Sequence, residues 1–137
     1  MFGAVPLITS TAQETNIPRT PVDEVYAQIA ADLKNAIELM SGKKYNQYVE
    51  AGHATKWAAE ALMARVYLFY TGFYGKDSLP LATADGIGSI SKSEVVAWID
   101  DCVSNSGHSL VNDYRNLWPY TNEFTVGDYE YTKNATD

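Results

Sequence analysis

From Lys56 to Tyr70 the chain runs Lys-Trp-Ala-Ala-Glu-Ala-Leu-Met-Ala-Arg-Val-Tyr-Leu-Phe-Tyr, and only Lys56, Glu60 and Arg65 carry charge. Alanine, leucine and methionine favour helix, and Thr55 stands where a cap belongs. A helix apolar nearly all round must be covered on more than one side. Ala58, Ala61 and Ala64 would let neighbouring helices come close. Thr71-Gly72 reads as the stop, so the expected helix spans 56–71.

Two flanking segments can supply that cover. Around the first, Thr20 can cap, Pro21 suits the first helical turn, and Asp23 and Glu24 complement the positive end of the helix dipole. Val22, Val25, Tyr26, Ile29, Leu33, Ile37 and Met40 follow at steps of three and four, which mark one buried face. Gly42 closes a helix expected over 22–41. In the second, Ser91 and Glu94 have the spacing of a capping box. Val95, Val96, Trp98, Ile99, Cys102 and Val103 supply the apolar positions, and Gly107 closes a helix expected over 92–106. Residues 42–53 read as a short connector and 73–90 as a long loop without periodicity, of the kind that carries function. The expected fold class is mostly all-α: antiparallel helices joined by irregular connections. Helix centres near residues 31, 63 and 99 put the first and third about 68 residues apart. A tetratricopeptide array has about 34 per helix pair, so any such repeat here is atypical and carries insertions.

Composition narrows the function. Ten Lys and Arg against 17 Asp and Glu give a net charge of −7. The basic residues are scattered, with Lys43-Lys44 the only adjacent pair, which argues against a nucleic-acid partner. No apolar run is long enough to span a membrane. The single cysteine, Cys102, excludes an internal disulfide framework and a cysteine-rich zinc site. His53, His108 and Cys102 match no metal-ligand spacing. Asp100 and Asp101 are adjacent on a helix and point about 100° apart, so they cannot flank one glycosidic bond. Phosphate-binding loops and nucleophile elbows are absent from the sequence. No catalytic residue, cofactor or metal is therefore expected, and the chain does not read as an enzyme. Met1 to Ile8 has neither the basic nor the apolar region of a secretory signal. Val5 to Ile8 reads as extended, and both ends look cut from a longer fold.

Four stretches in order resemble one family. Phe2-Gly3-Ala4-Val5-Pro6-Leu7 looks like its aromatic-Gly-x-Val-Pro-Leu segment. Pro18-Arg19-Thr20-Pro21-Val22-Asp23-Glu24-Val25-Tyr26 resembles its Pro-Arg entry into a helix, continued by Ile29, Asp32, Leu33 and Ala36. Ala58 to Tyr70 is similar to its Ala-x-x-Ala-Leu-x-Ala-Arg-Val-Tyr-Leu helix. Gly107, Ser109-Leu110-Val111, Asp113-Tyr114 and Leu117 resemble the segment after its next helix. The family is SusD/RagB, the surface glycan-binding lipoproteins of Bacteroidetes-type bacteria. The resemblance implies tetratricopeptide-like helices supporting irregular sugar-binding excursions. It also implies an outer-membrane lipoprotein that hands oligosaccharides to a TonB-dependent (SusC-like) transporter. The family's lipid-modified cysteine and signal peptide do not appear in this sequence, and Cys102 lies mid-helix. Membrane attachment would thus come only through a lipid anchor outside this chain. The family's carboxy-terminal half is not matched either, so residues 1–137 are expected to be a single partial domain of a longer protein.

The expected ligand contacts are Phe73, Tyr74, Lys76 and Asp77. Sugar rings present C–H faces that stack on aromatic planes, and their hydroxyls hydrogen-bond to charged groups; these four residues supply both. Against this stands the plainer reading that Phe73 and Tyr74 seal the end of the second helix. Tyr114, Trp118, Tyr120, Phe124, Tyr129 and Tyr131 are expected to cap the helices, and Trp57 and Trp98 to enter the core. Arg65 is expected to pair with Asp32 across helices rather than with Glu60. The alternative function is a helical protein–protein adaptor without sugar binding.

Overall fold

The computed structural model describes residues 3–11, 16–40, 42 and 53–110. Its elements are α1 (Val22–Leu39), α2 (Lys56–Tyr74), β1 (Leu79–Thr83), β2 (Gly86–Ile90) and α3 (Lys92–Asn105). All five lie in one compact unit, Met1–Gly107. The fold is mostly helical, with three helices as expected, but a small antiparallel hairpin stands where the sequence suggested only loop.

α1 starts at Val22 as expected, but it is capped differently. Pro21, not Thr20, holds the cap position, and no side chain caps the helix. Thr20 instead bridges to Val5, donating its backbone N–H to the Val5 carbonyl at 2.9 Å. The helix turns extended at Met40, two residues before Gly42. Its closest-packed positions are Ala27 and Ala30, with Tyr26, Leu33 and Ile37 beside them. Ile29, assigned to the inner face by spacing, sits at its edge, 36% exposed.

α2 runs on past Thr71-Gly72 to Tyr74, and Gly75 ends it at φ +64°. The Lys76 N–H returns to the Thr71 carbonyl at 3.0 Å, the six-to-one bond of a Schellman ending. A glycine inside a helix costs only about 1 kcal/mol relative to alanine, and one further turn brings Tyr74 against the core. At the other end the Thr55 hydroxyl caps Ala58 N–H as expected. α3 has both halves of the predicted capping box: the Ser91 hydroxyl accepts from Glu94 N–H, and Glu94 accepts from Ser91 N–H at 2.8 Å.

The hairpin aligns Leu79 with Ile90 and Thr83 with Gly86. Ala84 and Asp85 make the two-residue loop, and Gly86 after it takes φ +132°. Asp-Gly is a hairpin signal. Leu79 and Ile90, directly opposite each other, are both fully buried. They join Ala30, Met63, Ala64, Tyr67, Tyr70 and Val95 in one core. Trp57 is buried and Trp98 packs partly buried against this core. α1 packs on α2 and β1, and α2 packs on α3.

Both helix pairs are antiparallel. Asp23 and Tyr26 at the start of α1 meet Tyr70 and Tyr74 at the end of α2. Lys56 at the start of α2 meets Asp101 near the end of α3. The aromatic run 114–131 lies outside the described residues.

Candidate functional site

The last turns of α2 gather five aromatic rings. Tyr67, Tyr70 and Tyr74 follow at steps of three and four and turn inward, while Phe69 and Phe73 form an i,i+4 pair on the next face. Phe69 and Phe73 stack with centroids 5.3 Å apart and planes 17° apart. Tyr26 of α1 lies 4.8 Å from Tyr70 and 5.9 Å from Tyr74. The phenol of Tyr70 donates to the Asp23 carboxylate at 2.7 Å. Burial first, then that hydrogen bond, pushes the Tyr70 pKa up to about 12. Burial, with Tyr74 nearby, also raises Tyr26. The Tyr67 hydroxyl donates to the backbone carbonyl of Asp77 at 3.0 Å, which pins the segment after the helix.

The four candidate ligand residues therefore divide. Phe73 and Tyr74 are in the final helical turn rather than on a loop, because Gly75 and not Gly72 ends the helix. Tyr74 is half-buried against Tyr26 and Tyr70. Phe73 is 65% exposed, with its ring edge-on to Tyr74 at 4.9 Å. Lys76 and Asp77 follow, both exposed. The arrangement offers one open aromatic ring held by a second, with an ammonium and a carboxylate within four residues. It can hold a sugar ring by stacking and by hydroxyl hydrogen bonds. It offers no poised nucleophile.

A second cluster lies at the opposite end of α2. The Lys56 ammonium bridges to Asp101 at 2.7 Å and lies 3.9 Å from Glu60. Glu60 is only 2% exposed, and its Oε2 has no hydrogen-bond partner among the described residues. Burial, then Asp101, pushes the Glu60 pKa up to about 7. Lys56 and Asn105 hold Asp101 down near 2. The Cys102 thiol lies 3.7 Å from the Trp57 carbonyl, and burial raises its pKa. A raised carboxyl beside an ionised one has the electrostatics of an acid–base pair. Glu60 is nevertheless closed to solvent, out of reach of a glycosidic oxygen, so the cluster clamps α2 to α3.

The expected Asp32–Arg65 pair does not form. Arg65 lies on the exposed side of α2, and Asp32 accepts from Gln28 on its own helix at 2.9 Å. Lys56–Asp101 is the pair that crosses between helices. Glu60, the lone acid of an otherwise apolar helix, was the available signal for a buried polar cluster. Among the described residues no group of His, Cys, Asp and Glu is placed to hold a metal ion. Among them, too, no helix is long and apolar enough to cross a membrane.

Comparison with known proteins bears on this arrangement. A SusD-like family model, described as "Starch-binding associating with outer membrane", matches residues 1–68. That span covers α1 and α2 as far as Leu68, stopping short of the Phe69–Asp77 surface. A protein of Bacteroides ovatus named "SusD-like protein" is 29% identical over 125 residues. The alignment takes in 89% of this chain and 20% of that protein, so the chain spans about a fifth of its relative's length. No solved structure matches the chain. The matched segment, which takes in α1 and most of α2, and the relative both point to the SusD/RagB family, which the chain resembles.

Proposed function

We propose that the chain is part of a non-catalytic glycan-binding component of a nutrient-uptake system. In this reading the parent protein is a surface lipoprotein of the outer membrane. It holds an oligosaccharide and passes it to a TonB-dependent (SusC-like) transporter, and no bond is made or broken. The observation that carries the reading is the family match, whose description names starch binding and the outer membrane. The local geometry agrees with it: Phe73 leaves a ring open beside Tyr74, Lys76 and Asp77. A single stacked ring gives weak binding, so affinity would come from several such contacts along one oligosaccharide.

The test is calorimetric titration with starch-derived, plant, host and microbial oligosaccharides, using the chain and its full-length parent. Binding of at least one class, weakened by Phe73→Ala at unchanged melting temperature, is the expected result. Silence across all classes, or release of free sugar in a turnover assay, would overturn the reading.

A further inference from the structure

Two carboxyl groups meet where α2 packs on α3. Glu60 comes from α2 and is 2% exposed; Asp101 comes from the second half of α3. They lie within hydrogen-bonding reach of each other. Both also face one ammonium, with Lys56 Nζ 2.7 Å from Asp101 Oδ2 and 3.9 Å from Glu60 Oε1. Asp101 is the better served of the two, because its Oδ1 also accepts from the Asn105 amide at 2.7 Å. Glu60 Oε2 is buried and has no donor to accept from among the described residues.

An ionised carboxylate only accepts hydrogen bonds, so two ionised carboxyls cannot bond to each other. With both charged, the interface would bury a surplus negative charge and an orphaned acceptor, and each is costly. A proton on Glu60 removes both costs. Glu60 becomes the donor, Asp101 the acceptor, and one anion is left to balance one ammonium. We propose that Glu60 and Asp101 share one proton, held on Glu60 and donated to Asp101, and that this hydrogen bond fastens α3 to α2 alongside the Lys56 ion pair. When the proton passes to solvent, two carboxylates contend for Lys56. The groups facing Glu60 are Lys56 on its own helix and Asp101 and Cys102 on α3. Burial raises the Cys102 thiol, so it stays neutral through the same range. Among the described residues, α1 and the hairpin bring no charged group to bear on Glu60. The device does not depend on sugar binding.

Carbon-13 NMR of the Glu and Asp side-chain carboxyls, in the full chain from about pH 4 to 9, tests the proposal. Glu60 should titrate near neutral pH. The Asp101 carboxyl carbon, ionised throughout, should shift at the same midpoint, because its donor leaves there. Lys56→Met removes the common cation. In that background Asp101→Asn should weaken proton binding by Glu60 about tenfold, a fall of about one pH unit. Circular dichroism checks that the variants fold; if they do not, the parent titration decides alone. A flat Asp101 signal through the Glu60 step would overturn the proposal. So would a Glu60 midpoint that Asp101→Asn leaves unchanged in the Lys56→Met background, since Glu60 would then be an isolated buried acid.

Discussion

Glu60→Gln isolates the electrostatic cost of the clamp between α2 and α3. Glu60 is buried, and its pKa in the fold is about 7 against 4.5 for the free side chain. The fold thus prefers the neutral acid, while the unfolded chain gives up the proton earlier. The associated stability is fully present below pH 4.5, falls as pH rises toward 7, and is gone above it. A shift from 4.5 to about 7 corresponds to about 3 kcal/mol, at 1.36 kcal/mol per pH unit. The glutamine side chain keeps the size and the hydrogen-bonding capacity without the charge. The difference in stability between variant and parent should therefore grow in the variant's favour across that window, by up to about 3 kcal/mol. Asp101 is held near pH 2 by Lys56, so its own titration falls outside the window. The assay is urea denaturation at half-unit steps from pH 4.5 to 8, followed by tryptophan fluorescence and circular dichroism. Parallel stability profiles for the two proteins would refute the reasoning.

The remaining predictions concern the helix ends and Arg65. Gly72→Ala should raise stability by about 1 kcal/mol, since the position is helical with open space around it. Gly75→Ala, at φ +64°, should lower it by about 1 kcal/mol; thermal melts of the pair read opposite signs, and like signs would contradict the placement of the helix end. Tyr70→Phe removes the bond to Asp23 and should cost about 1 kcal/mol in urea denaturation, leaving the Glu60 pH profile intact. Arg65→Ala should leave stability within about 0.5 kcal/mol of the parent, because the side chain is exposed and pairs with neither Asp32 nor Glu60; a larger loss in a thermal melt would restore a structural role for it.

Local signals explain what could be read from the sequence. Ser91 and Glu94 announced α3 because a capping box is short-range chemistry that tertiary packing need not assist. The apolar spacing of α1 and α2 announced the helices themselves, though the two alanines of α1 lie deepest. The ends were harder to read. Gly72 resembled a stop, but burial of Tyr74 beyond it outweighs the modest helical cost of one glycine. The hairpin had its Asp-Gly turn in view, yet Pro80 and Gly88 interrupt the alternation that marks strands. What holds it is the opposed pair Leu79 and Ile90 pressed into the helical core, which no local pattern encodes. Arg65 was assigned a partner from its apolar surroundings. The neighbouring helices cover the other side of α2, where Glu60 and Met63 lie, and so the arginine faces outward. Of the four candidate contacts, aromatic character and nearby charge were visible in sequence. Which ring stays open depends on the extra turn, since successive helical residues point about 100° apart.

The polar ties on α2 sit at opposite ends of it. Asp23 of α1 is tethered through a phenol at the far end, and Asp101 of α3 through an ammonium beside a carboxyl at the near end. These two fastenings answer to solution acidity at widely separated points on the scale. Strong alkali would loosen the first, whereas mild acid would tighten the second by discharging Glu60. The middle rod of the stack can thus be slackened at one tip and secured at the other by proton supply alone.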